Sequence, residues 1–129
     1  MANGPEFLTW EIVSALHHES LVRFGGLAGE RDRGALESAL AAAENTFVYG
    51  NGDLHDIAAA YAFHLAQSQG FLDGNKRTAV ACAATFLLRN GCRDQANDGI
   101  IYDAMIAIAE RRLDKLGLAG VLRGQFVAN

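Results

Sequence analysis

The sequence predicts an all-α protein, a bundle of about six helices around one buried central helix at about residues 75–90. Three observations carry that expectation. The single proline, Pro5, lies ahead of every helical pattern, so nothing breaks the helices from within. Alanine and leucine, strong helix formers, are abundant in segments where apolar residues recur at helical spacing. No segment shows clean strand alternation, and there is no internal repeat or low-complexity tract. With 129 residues, 50% of them apolar and 20% charged, the chain has the size and composition of one soluble domain, 1–129, with its own core.

The elements follow in order. Thr9 caps a first helix to about Phe24, striped by Trp10, Val13, Leu16, Leu21 and Phe24, and Gly25-Gly26 ends it. Asp32 precedes a short helix to about Ala43, with Leu36, Ala39 and Leu40 facing inward. Residues Glu44 to Gly52 lack a helical period and read as a loop or hairpin flap. Within them Thr46-Phe47-Val48-Tyr49 stays open between an edge strand for a target peptide and a loop over the core. Asp53 opens a third helix to Ser68 or Gln69, with Ile57, Ala60, Tyr61, His64 and Leu65 on one side. The fourth runs from Asn75 to about Asn90, apolar nearly all round between Thr78 and Leu88, and Gly91 stops it. Asn97 or Asp98 begins a fifth through Ile108, and a sixth follows Asp114 through Leu122. Met1 to Glu6 has no periodicity and is expected to be a disordered tail or a cloning remnant.

Charge and composition narrow the function classes. A net charge of −4 and a pI near 5.5 argue against direct nonspecific nucleic-acid binding. No apolar run approaches the roughly 20 residues that span a membrane. No signal peptide is evident, so a cytoplasmic protein is expected. Cys82 and Cys92 lie about 15 Å apart along one helix, too far for a disulfide, and without a CxxC spacing they make a poor zinc site. His17 and His18 point about 100° apart, which suits surface or core packing better than a shared metal. Glu110-Arg111-Arg112 reads as a charged helix end.

The chemistry concentrates in Gln69-Gly70-Phe71-Leu72-Asp73-Gly74-Asn75-Lys76-Arg77-Thr78. Unpaired N–H groups and the positive dipole end of the fourth helix favour an anion there, whereas two bare cations would oppose that dipole. Asp73 can supply a Mg²⁺ ligand. Lys76 and Arg77 can hold phosphate oxygens, Gly74 lets the backbone approach a ligand, and Asn75 can cap the helix or orient a phosphate. Phe71 is expected to anchor the loop in the core.

Phe71-Leu72-Asp73-Gly74-Asn75-Lys76-Arg77-Thr78-Ala79 resembles the signature of the Fic/Doc family, in its Doc branch. The likeness extends upstream through Gly25–Gly34, Leu36–Leu40, Asn45-Thr46-Phe47 and Tyr61–Ala66, and downstream through Thr85–Gly91. The resemblance implies a helical Fic fold with ATP and Mg²⁺ as cofactors. It further implies a kinase-like toxin that phosphorylates elongation factor Tu, and a small antitoxin partner whose disordered segment folds on the toxin. By the same resemblance Asp73 takes the metal-linked position, and Asn75, Lys76 and Arg77 the phosphate-binding ones. The family motif begins with a catalytic histidine where this chain has Gln69. Glutamine hydrogen-bonds but does not accept a proton near neutral pH, and losing a general base costs on the order of 10² to 10⁴ in rate. His64, about 7.5 Å back along the helix, reads as a packed residue and not as a substitute. Two alternatives remain open: transfer of AMP on the same scaffold, and a non-catalytic module that binds nucleotide or a partner.

Overall fold

The computed structural model describes residues 4–95 and 97–129. The chain forms helices α1 (Trp10–Phe24), α2 (Arg33–Val48), α3 (Leu54–Ser68), α4 (Asn75–Arg89), α5 (Asp98–Ala109) and α6 (Lys115–Gln125). The short strands β1 (Cys92–Asp94) and β2 (Phe126–Ala128) pair antiparallel, with Arg93 opposite Val127. No helix among the described residues is long and apolar enough to cross a membrane.

Helix starts are where local chemistry puts them. The side chains of Thr9, Asp32, Asp53, Asn97 and Asp114 each accept a backbone N–H from the first turn that follows. Asp53 and Asp56 complete a reciprocal capping box.

Three expectations need correction. Helix α2 does not stop near Ala43 but continues to Val48, so the residues read as a flap form its last turn. The Phe47 ring meets Phe7 edge-on at 6.1 Å, and the Thr46 hydroxyl bonds back to Ala42 O, so tertiary packing overrides weak local propensity. On α1 Val13, Trp10 and Leu16 pack on the core as expected, but His17 and Ser20 are buried beside them and Phe24 is 62% exposed. The presumed tail is tied down at Glu6, whose N–H and C=O bond to the Asn90 side chain and whose carboxylate pairs with Arg89. Residues 1–3 of that tail lie outside the described residues. The β pair is an addition, for strands of three residues are too short to show alternation in sequence.

The core runs through two neighbouring helices. The middle of α3 is enclosed, with Ile57 through Ala62 and Leu65 buried between α2, α4 and α6. Helix α4 buries Thr78, Ala79, Cys82, Ala83, Phe86 and Leu87 and packs against α1 and α3. Small side chains on both let the backbones approach closely. Both cysteines are buried and free, but Cys92 lies in β1 beyond the end of α4 and not along one helix with Cys82. Burial pushes the Cys82 thiol up to about 12, which leaves it unreactive.

Candidate functional site

The loop between α3 and α4 is held by its backbone. Gln69 ends α3 in the left-handed conformation, φ 47° and ψ 37°, a position that usually goes to glycine. At Gly70 a Cβ would strike the Leu36 side chain and come within 3.0 Å of Asp32 O, so no larger residue fits. Gly70 O accepts the N–H groups of Arg31 and Asp32, the Leu72 N–H donates to Gly29 O, and Glu30 bridges to Phe71. The α1–α2 connection therefore lies along the loop like a strand. Phe71 is buried, stacked face to face on His17 with ring centres 3.7 Å apart.

Helix α4 opens without a cap. Gly74 is its first flanking residue, at φ 81°, and no side chain accepts from the first turn. The first backbone bond is Thr78 N–H to Gly74 O, so the N–H groups of Gly74, Asn75, Lys76 and Arg77 find no acceptor among the described residues. Asn75 does not cap the helix. Its amide closes the loop instead, accepting from Phe71 N–H and donating to Phe71 O, both at 3.0 Å.

The sequence-predicted residues then separate into two groups. Gln69, Asn75 and Lys76 line a cavity of about 420 Å³, with Met105 and Ile108 of α5, Gln67 of α3 and Arg111 completing its walls. No carboxylate lines it. Asp73 and Arg77 turn the other way, towards α1. Asp73 Oδ2 accepts the Leu27 N–H at 2.6 Å, and Asp73 O accepts from His17 Nε2 at 2.8 Å, which puts the ring proton on Nε2. Arg77 donates to Ser20 Oγ and Gly25 O, lies over the Phe24 ring, and borders a second cavity between α1 and α4. No group of three or more His, Cys, Asp or Glu side chains is placed to hold a metal among the described residues. Asp73 can still be a lone carboxylate for Mg²⁺, which commonly takes one or two protein oxygens and fills its shell with water and phosphate.

Two residues of this region escape a reading of the sequence. His17 holds the loop through both its ring face and its Nε2–H, and the signal for it was present: Val13, His17 and Ser20 share a helical face. Arg111 lines the cavity from just beyond α5, and no local pattern points to it. His64 is a packed residue. Its Nε2 lies 3.1 Å from Lys115 Nζ, and burial together with the Lys115 charge lowers its pKa, which favours the neutral ring. It does not line the cavity that Gln69 lines.

Comparison with known proteins bears on the same segments. The model of the Fic/DOC family matches residues 7–87, from before α1 to the last turn of α4. The chain is 38% identical over 82 residues to "Protein kinase doc" of Escherichia phage P1, covering 63% of this chain and 65% of that protein. It is 40% identical over 108 residues to "Toxin Doc" of Mycolicibacterium smegmatis (strain ATCC 700084 / mc(2)155), covering 80% of this chain and 82% of that protein. The family model spans more than half of the chain and includes the whole loop that the geometry singles out. This chain belongs to the Fic/DOC family.

Proposed function

We propose that the chain is a Doc-type toxin, a cytoplasmic ATP-dependent protein kinase held at low activity by Gln69. Its target in this reading is a hydroxyl of elongation factor Tu, and its natural partner is an antitoxin with a segment that folds on binding. One observation carries the proposal: an acid-free cavity of about 420 Å³ at the uncapped mouth of α4, lined by Gln69, Asn75 and Lys76. The names of the two relatives support it.

The residues fit a nucleotide polyphosphate. Four N–H groups and the Lys76 side chain, all without a partner among the described residues, offer donors and charge for phosphate oxygens. Asp73 lies outside the cavity lining, its Oδ2 on the Leu27 N–H, so to hold Mg²⁺ for the phosphates its carboxylate would have to turn from α1; the ion, when bound, would offset the charge that develops there. Asn75 keeps the loop closed so that these donors stay aimed. In the reaction the acceptor oxygen bonds to the γ-phosphorus, the bond to the β-phosphate oxygen breaks, and ADP departs. The hydroxyl proton needs a base, and the Gln69 amide cannot take it.

Gln69→His tests the proposal. Histidine is among the residues enriched in the left-handed conformation, so the backbone at this position suits it. With γ-labelled ATP and purified elongation factor Tu, label transfer should rise by on the order of 10² to 10⁴ over the chain as it stands. Transfer from α-labelled ATP would establish the nucleotidyl reaction instead. No transfer from either, with ATP still bound, would reduce the protein to a binding module.

A further inference from the structure

Only three described residues other than glycine adopt positive φ: Asn51, Gln69 and Arg111. Asparagine tolerates that conformation. The other two do not favour it, yet both line the same cavity. Arg111, at φ 62°, sits just past the end of α5, where the Arg112 N–H reaches back to Ala107 O and the Arg111 N–H to Ile108 O. That turn closes best on glycine, so an arginine here works against local stability. Strain kept at one wall of a cavity points to a use for the side chain.

The charges agree. Arg112, the next residue, is neutralised by Glu110 at 2.7 Å, and Arg123 is held by Asp53 and Asp56. Arg111 has no such ion pair among the described residues; Asp114 lines a second cavity beside it, but the cavity it shares with Gln69 and Lys76 has no carboxylate in its walls. Lys76 lines that cavity from α4, so two cations converge on a space without a protein counter-charge. Such a space suits a ligand with several negative charges.

We infer that Arg111 is a second cationic contact for the phosphate chain of the nucleotide, supplied by the α5–α6 turn to complement Lys76. The inference rests on the reading of this cavity as the nucleotide site. It gives the phosphate grip two unconnected parts of the chain, the family loop and a residue far downstream of it. Binding of the polyphosphate thus ties α5 to the mouth of α4.

Arg111→Gly provides the test, because a structural role and a binding role move it in opposite directions. The full chain and the variant are titrated calorimetrically with ATP plus magnesium and with adenosine, and their thermal midpoints are compared; Arg112→Gln is the control. The variant should bind ATP about tenfold more weakly or worse, as expected for loss of a charge-assisted contact. Its midpoint should rise, its adenosine affinity should not change, and Arg112→Gln should match the parent. Equal ATP affinity in variant and parent would overturn the inference, as would equal losses for ATP and adenosine. A fall in both midpoint and affinity would make Arg111 a structural residue and overturn it too. If the parent itself takes up no ATP, the reading of the cavity fails first, and this inference with it.

Discussion

The starts of α3 and α4 lie in neighbouring helices that pack on one another, and they are built on opposite principles. At the start of α3 every charge is answered. Asp53 accepts the Asp56 N–H, Asp56 accepts the Asp53 N–H, and Arg123 from α6 bonds to both carboxylates. Burial opposes ionisation of Asp53, but the Asp56 N–H and the Arg123 guanidinium outweigh it, so its pKa falls below the usual carboxylate range. At the start of α4 no carboxylate answers the charge, and Arg77 finds only the neutral Ser20 Oγ and Gly25 O. Gly74 offers no side chain, the first turn has no acid, and Lys76 and Arg77 add positive charge where the dipole is already positive. A helix start that serves only folding looks like the first; the second gives up that stability and leaves its N–H groups without a protein acceptor among the described residues. The difference teaches that a missing cap is informative only when the rest of the local chemistry is also reversed, as it is here.

Charge reversal at the mouth of α4 should produce the largest change. Lys76→Glu places an acid where the dipole favours one, so the thermal midpoint should rise slightly while affinity for ATP with magnesium falls roughly a hundredfold. A variant that bound ATP normally would show that the mouth of α4 is not the anion site. At the start of α3 the expectation reverses. Asp53→Ala should cost about 1 kcal/mol in urea unfolding through loss of the cap, with ATP affinity unchanged. A change in affinity would mean that the two starts are not independent.

The smallest effect is a pH dependence. The Asp53 pKa is lowered in the folded chain, so its contribution is present above the ordinary carboxylate range and is lost as pH falls through the lower folded value. Midpoints of the parent and Asp53→Ala, measured from pH 7 down to about 3, should therefore converge at the acid end. A gap that stayed constant would remove the ionised carboxylate from the account and leave only its geometry.

Most helix boundaries were legible because caps are local. Thr9, Asp32, Asp53, Asn97 and Asp114 each act within a few residues of themselves; four of these caps stand where the sequence places them, and Asn97 is one of the two residues it left open. The end of α2 was not legible, since Phe47 is held by Phe7, far away in the chain. The same holds for the β pair, which joins Cys92–Asp94 to residues at the other end of the chain. In the candidate site the loop itself could be read residue by residue. Its partition could not.

The sequence by itself determined the helical class, the order of the helices, and the loop from Gln69 to Thr78 that places the chain in its family. Those rest on spacing, caps and side-chain types, all set by neighbours in the chain. Only the tertiary structure decided that Asp73 and Arg77 turn towards α1, that His17 clamps the loop through Phe71 and Asp73, and that Arg111 joins Lys76 at one cavity. The reason is physical: a loop side chain takes its direction from the distant groups that can satisfy or neutralise it. Those groups meet it only once the helices have packed.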